Sequence, residues 1–184
     1  MVAHRDGDPA AFGVLVGRYA DSLLGYLVRM TGDRQQAEDL FQETFVRVHK
    51  HTRHFREEER FKTWLFTIAT RRSIDLLRKR GRRPAWLSLD AEPATTNLAM
   101  ELCDAAGDPA WHAERADVKE QVRAAVDSLP SQQRAVLLLA YFHGLSYPEA
   151  ATALHCSVGT VKTHMSRALK TLAKKLPDMK GEVL

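Results

Sequence analysis

The chain of 184 residues contains two cysteines, Cys103 and Cys156. Neither stands at a spacing that binds zinc, and two thiols are too few for a disulfide framework, so both are expected reduced and neither is assigned a role. Eight histidines are scattered along the chain. His49, His51 and His54 lie close together, but without the carboxylate or thiol partners of a metal site, so neither metal nor cofactor is expected. No apolar run reaches about eighteen residues, the length a membrane span requires. The opening residues, MVAHRDGDPA, lack the apolar centre of a signal peptide. A cytoplasmic protein is the expectation. A phosphate-cradling glycine loop and a nucleophile motif are also missing, which weighs against an enzyme.

Charge is plentiful and unevenly placed. Residues 1 to 83 hold 17 Lys/Arg against 11 Asp/Glu, residues 84 to 118 hold 1 against 7, and residues 119 to 184 hold 9 against 5. Two basic blocks therefore flank an acidic connector. Basic blocks favour a polyanionic partner, and such sign changes mark parts with different partners.

The stretch from Ser146 to Leu172 carries the sharpest signal. Ser146 and Glu149 form a capping box, with Pro148 in the first helical turn. A short helix follows through Ala150, Ala151 and Leu154, broken at His155 and Cys156. Ser157 then caps a second helix, whose Val161, Met165, Ala168, Leu169 and Leu172 recur at helical spacing and are expected inside. Its other face presents Thr160, Lys162, Thr163, His164, Ser166, Arg167 and Lys170. This is the helix-turn-helix pattern, and that face suits DNA: cations neutralise phosphates, while hydroxyls and imidazole reach phosphates or base edges. The plainer alternative is a structural helical hairpin with a solvated basic face. His155 stands where such turns usually place glycine, at a position expected to need left-handed backbone.

Upstream, Asp8 and Pro9 open a long amphipathic helix through Phe12, Leu15, Val16, Tyr19, Leu23, Tyr26, Leu27 and Met30, which Thr31 and Gly32 end. Asp33 caps the next helix, with Gln36 in the reciprocal position. Its buried stripe is Ala37, Leu40, Phe41, Thr44, Phe45 and Val48, and Glu38, Asp39, Gln42, Glu43 and Arg47 face outward. A third helix runs from about Glu58 to Arg80. Arg71, Arg72, Arg78, Lys79, Arg80, Arg82 and Arg83 crowd its second half and exit, opposed only by Asp75. Such a concentration repels itself unless a polyanion neutralises it. A solvated helix end that complements the helix dipole is the alternative. Phe55, Phe61, Trp64 and Phe66 adjoin these charges, and aromatic rings beside cations bind unpaired bases. Phe55, in a polar loop, is the ring least accounted for by packing.

From Pro84 to about Ala110, Pro84, Pro93, Gly107 and Pro109 break any long helix. A helix then resumes near Trp111 through Val118, Val122, Ala125, Val126 and Leu129. Pro130 stops it and Ser131 caps the next, QQRAVLLLAYFHG, which is apolar nearly all round and is expected at the centre of a small C-terminal domain. The fold class is all-α. Two small helical domains are expected: an N-terminal helical bundle over 1–84 and a C-terminal helix-turn-helix domain over 113–178, joined by an acidic, flexible linker over 85–112.

The order of these parts resembles the extracytoplasmic-function group of bacterial sigma factors, over nearly the whole chain. DRQQAEDLFQETFVRVHKH is similar to the second-region helix that grips the clamp helices of the largest RNA polymerase subunit. FREEERFKTWLFTIATRRSIDLLRKRGRR is similar to the segment that reads and helps melt the minus-ten promoter element. SLPSQQRAVLLLAYFHGLSYPEAATALHCSVGTVKTHMSRAL is similar to the fourth region, which reads the minus-thirty-five element. The resemblance implies polymerase contact by Asp39, Leu40, Gln42, Glu43 and Phe45, of which Leu40 and Phe45 also suit the core. It implies minus-ten contact by Phe55, Arg56, Arg60, Lys62, Trp64, Arg71, Arg72, Arg78, Lys79, Arg80, Arg82 and Arg83. It also implies duplex contact by the recognition helix and control by an anti-sigma factor, without membrane insertion or a small-molecule substrate. Arg71 stands where many members carry Asn. A conventional helix-turn-helix regulator of duplex operators is the alternative reading.

The two elements, about 25 base pairs apart, are separated by roughly 85 Å. A tether of about 30 residues averages only about 30 Å as a free coil, although it can extend to roughly 100 Å. Both elements are therefore expected to be reached together only when polymerase holds the tether extended.

Overall fold

A computed structural model describes residues 1–6, 8–55, 60–81 and 109–176. All regular structure among these residues is helical. The helices are α1 (Val2–Arg5), α2 (Pro9–Thr31), α3 (Arg34–Lys50), α4 (Phe61–Gly81), α5 (Pro109–Asp127), α6 (Ser131–Leu137), α7 (Tyr147–Leu154) and α8 (Val158–Lys175), with a 3₁₀ turn at Thr52–His54. The expected acidic tether falls mostly outside the described residues, and α5 begins within the stretch assigned to it.

Local chemistry sets the boundaries as expected. The Asp8 carboxylate accepts from the N–H groups of Ala10, 2.8 Å, and Ala11, 3.3 Å, opening α2. Gly32 closes it at φ 70°, where a side chain would be strained. Asp33 caps α3 through the Gln36 N–H at 3.0 Å, while the Gln36 side chain returns to the Asp33 carboxylate at 2.7 Å. Ser131 does not cap α6. It is the first helical residue, and Pro130 holds the cap position without a side-chain bond. From Leu138 to Phe142 the helix widens into a π turn, which Gly144 ends at φ 61°.

α2, α3 and α4 form a three-helix bundle around Leu23, Tyr26, Leu27, Met30, Ala37, Val48, Leu65, Phe66 and Ala69, all fully buried. α2 is long and apolar enough to cross a bilayer by composition alone, yet its apolar stripe packs in this core. α6, α7 and α8 form the second unit, with α5 against α8. The core does not stop at the domain boundary. Ala135, Val136, Leu138 and Leu139 of α6 and its π turn, and Ala150, Ala151 and Ala153 of α7, belong to the same buried cluster as the bundle. α7 packs on α4, so α4 is covered on both sides and Phe66 lies in the core.

Candidate nucleic-acid and polymerase interfaces

The helix-turn-helix is built by three local devices. The Ser146 hydroxyl receives the Glu149 N–H, and the Glu149 carboxylate receives the Ser146 N–H at 2.8 Å. Two orphan donors are thereby satisfied, which contributes about 1 kcal/mol. His155 adopts φ 50° and ψ 48°, the left-handed conformation expected. Its N–H reaches the Thr152 carbonyl at 3.3 Å and the Cys156 N–H reaches Ala151 at 3.1 Å, the paired bonds of a Schellman stop. The Ser157 hydroxyl then caps α8 through the Thr160 N–H at 3.0 Å.

On α8, Val161 and Ala168 are buried and Met165 and Leu172 partly so. Leu169 was expected inside but is 53% exposed. Lys162, Thr163, Ser166, Arg167 and Lys170 are exposed on one side of the helix, with Thr160 and His164 half-buried beside them. Thr160 shares a hydrogen bond with the Ser157 hydroxyl at 2.9 Å, and the Thr163 hydroxyl donates to the Gly159 carbonyl at 3.0 Å.

In the N-terminal unit the expected minus-ten residues divide into three groups. Arg56, Arg82 and Arg83 lie outside the described residues. Arg71, Arg78, Lys79 and Arg80 are exposed along the second half of α4. The third group is engaged within the protein. Phe55, expected to stand clear of the core, is buried, with its ring 5.3 Å from Trp64 and 6.1 Å from Phe61. It is buried because the neighbouring rings of Phe61 and Trp64 offer it apolar surface. Arg72 bonds the Glu43 carboxylate of α3 at 2.7 Å. Lys62 donates to the His143 carbonyl of the C-terminal unit at 2.6 Å, and Arg60 lies 3.5 Å from the Glu149 carboxylate.

The five residues matched to polymerase contact also separate. Leu40 and Phe45 are buried in the bundle, while Asp39 and Gln42 are exposed and Glu43 is half-exposed. Burial alone would raise the Glu43 carboxyl. Hydrogen bonds and charge from Arg72 and Arg47 outweigh it and hold the group below the usual range. Val46, which sequence reasoning passed over, is 50% exposed. Positions 39, 42, 43 and 46 follow the spacing of one helical stripe, the signal that could have found it.

Sequence reasoning also missed the residues between the units. Arg134 is buried on α6 and donates to the Met30 carbonyl at the C-terminal end of α2, 2.8 Å away, and to the carbonyls of Asp127 and Leu129. A cation at a helix C-terminus complements the unpaired carbonyls and the helix dipole. His143, only 8% exposed, lies between the rings of Phe66 at 4.5 Å and Tyr26 at 5.4 Å, and its Nδ1 meets the Ser22 hydroxyl at 3.3 Å. Burial, with the charges of Lys62 and Arg29, pushes its pKa down to about 4, so the ring is neutral at pH 7. The Glu149 carboxyl is held low by the hydroxyl and N–H of Ser146, against slight desolvation, and further by Thr63 and Arg60.

No group of side chains suited to a metal ion occurs among the described residues. The arrangement presents two cationic surfaces and one acidic stripe that ends in the exposed Val46, which is equipment for binding.

Comparison with known proteins agrees with this geometry. Residues 15–83 match Sigma-70 region 2, and residues 119–172 match Sigma-70 region 4. The chain is 34% identical over 176 residues to the RNA polymerase sigma-H factor of Pseudomonas aeruginosa, spanning 96% of this chain and 91% of that one. It is 33% identical over 178 residues to the ECF RNA polymerase sigma factor SigW of Bacillus subtilis, spanning 95% and 94% respectively. Among solved structures, the sigma factor RpoE in complex with the anti-sigma factor NepR from Bartonella quintana shares the fold. Its TM-score is 0.72 at 23% identity, covering 91% of this chain and 98% of that one. CnrH in complex with the cytosolic domain of CnrY gives a TM-score of 0.65 at 27% identity, covering 94% and 91%. With both sigma regions in order and relatives matched over nearly their full length, the chain belongs to the extracytoplasmic-function sigma factors of the sigma-70 family.

Proposed function

We propose that this chain is the promoter-specificity subunit of a bacterial RNA polymerase. Residues 1–84 contact polymerase and the minus-ten element, 85–112 form the tether, and 113–178 read the minus-thirty-five element. The observation that carries this reading is the presence of two separate cationic surfaces, on α4 and α8, in units that match regions 2 and 4 in order. Asp39, Gln42, Glu43 and Val46 supply the polymerase contact, while Leu40 and Phe45 hold that stripe in place from beneath. Arg71, Arg78, Lys79 and Arg80 track the backbone of opening DNA. Trp64 and Phe61 provide rings for unpaired bases, backed by the buried Phe55. Lys162, Thr163, Ser166, Arg167 and Lys170 meet duplex phosphates and base edges.

Phosphodiester chemistry belongs to the polymerase, and this chain contributes no catalytic group. It acts in the cytoplasm, where core polymerase and promoter DNA are found. An anti-sigma factor restrains it; the solved complex of the sigma factor RpoE with the anti-sigma factor NepR, which shares this fold, supports this.

Transcripts made in vitro by core polymerase with and without this protein test the reading. New start sites that share a pair of upstream sequence elements are expected. Identical starts in both reactions, with tight duplex binding by the protein alone, would identify an operator-binding regulator instead.

A further inference from the structure

Among the described cations expected at the minus-ten element, Arg72 is the one bonded to the acidic stripe of α3. Its Nη2 lies 2.7 Å from Glu43 Oε1, and its Nη1 lies 3.7 Å from the Asp75 carboxylate one turn further along α4. Arg47 donates from Nε to the same Oε1 at 3.1 Å. Both cations approach one oxygen of Glu43, and Oε2 is the one left for an outside donor. The two do not restrain it equally. Arg47 stands four residues on along the same exposed helix, and such a pair is weak. Arg72 comes from another helix, and its guanidinium is itself held, by Asp75 and by packing that buries Nε. A phosphate could recruit Arg72 only by breaking this arrangement.

We infer that Arg72 is a positioning residue for the polymerase surface and makes no contact with DNA, an inference that rests on the polymerase role proposed above for the stripe. Reaching across from α4, Arg72 fixes the Glu43 side chain, so that Asp39, Gln42, Glu43 and Val46 meet polymerase already arranged. A free glutamate samples several rotamers, and freezing one of them on association costs affinity. Arg72 has met that cost within the fold. Charge acts in the opposite direction, because Arg72 partly neutralises a carboxylate that a basic partner would seek. Both side chains are about a third exposed, where water and salt screen that attraction. The fixed geometry therefore outweighs the lost charge.

The full chain, carrying a fluorescent label, is titrated with core polymerase. Arg72→Ala should weaken binding roughly two- to tenfold, the cost of immobilising one flexible side chain. In a Glu43→Ala background the same substitution should cost nothing further, since its target is gone, whereas a general defect in α4 would carry through both backgrounds. Polymerase-saturated holoenzyme is then bound to a fluorescent, mixed-sequence single-stranded DNA across salt concentrations. Arg72→Ala should leave the salt slope unchanged, while Arg78→Ala should lower it by about 0.7, the mark of one lost phosphate contact. If Arg72→Ala does not fold, Arg72→Lys, which keeps the charge but cannot span Asp75 and Glu43 together, should lose part of the polymerase affinity and only while Glu43 is present. Polymerase binding by a folded Arg72→Ala that is unchanged or tighter overturns the inference. So does an equal loss in the Glu43→Ala background, or a salt slope that falls as it does for Arg78→Ala. Asp39→Ala separates this from the functional reading. If it and Glu43→Ala both bind polymerase as the parent does, the stripe is not the polymerase surface; if both bind more weakly while Arg72→Ala does not, the positioning role alone fails.

Discussion

His143 offers a titratable handle on the packing of region 4 against region 2. The imidazole is enclosed by Phe66 and Tyr26, touches the Ser22 hydroxyl, and has Lys62 and Arg29 as charged neighbours, so burial and like charge both disfavour an imidazolium. Its pKa falls from 6.5 to about 4. The sign follows directly. The packed state binds fewer protons than a state in which His143 is exposed. The contribution is whole above pH 6.5 and is lost progressively as the pH falls toward about 4. At 1.36 kcal/mol per pH unit, the full shift corresponds to about 3 kcal/mol, of which about 2 kcal/mol is gone at pH 5.

Urea unfolding at pH 7 and pH 5, with the parent and His143→Phe compared, isolates this group. The carboxylates titrate alike in both proteins, and Phe keeps a ring between Phe66 and Tyr26. The parent should lose about 2 kcal/mol more than the variant over that interval. Equal losses in the two proteins, or a His143 resonance that titrates near 6.5 by NMR, would refute the reasoning.

Three further outcomes are expected. Asp39→Ala should weaken binding to core polymerase with an unchanged Tm, whereas Leu40→Ala, in the core beneath it, should cost about 2–5 kcal/mol by denaturant titration. Ser146→Ala should remove the capping box and lower stability by about 1 kcal/mol, while His155→Gly should raise it by about 1 kcal/mol by relieving left-handed backbone at φ 50°; both are read from urea midpoints. Arg167→Ala should leave the fold intact and reduce the salt dependence of holoenzyme binding to duplex minus-thirty-five DNA by about one ion, measured by anisotropy across salt concentrations.

Much of this fold was legible from residues alone because its signals are local. Asp8, Asp33, Ser146 and Ser157 cap within three positions, Gly32 and His155 stop helices where left-handed backbone is needed, and periodic apolar residues mark the buried stripes. Apart from Ser131, which Pro130 displaces from the cap position, the expectations that failed depended on how side chains pack. Phe55 looked stranded because its loop is polar, yet Phe61 and Trp64 enclose it. Leu169 kept the helical period yet is left 53% exposed by the packing, and Val46 broke the polar pattern of a face that only the folded bundle defines.

The sequence by itself determined an all-helical chain with two cationic modules in sigma-factor order, since caps, periodicity and charge runs act over a few residues. Tertiary structure decided which of those charges remain available. Lys62 and Arg72 are engaged by His143 and Glu43, at separations of 81 and 29 positions along the chain, while Arg60 reaches Glu149, 89 positions away, with its side chain still 83% exposed. No local rule connects residues so far apart; only helix packing brings each cation to its partner.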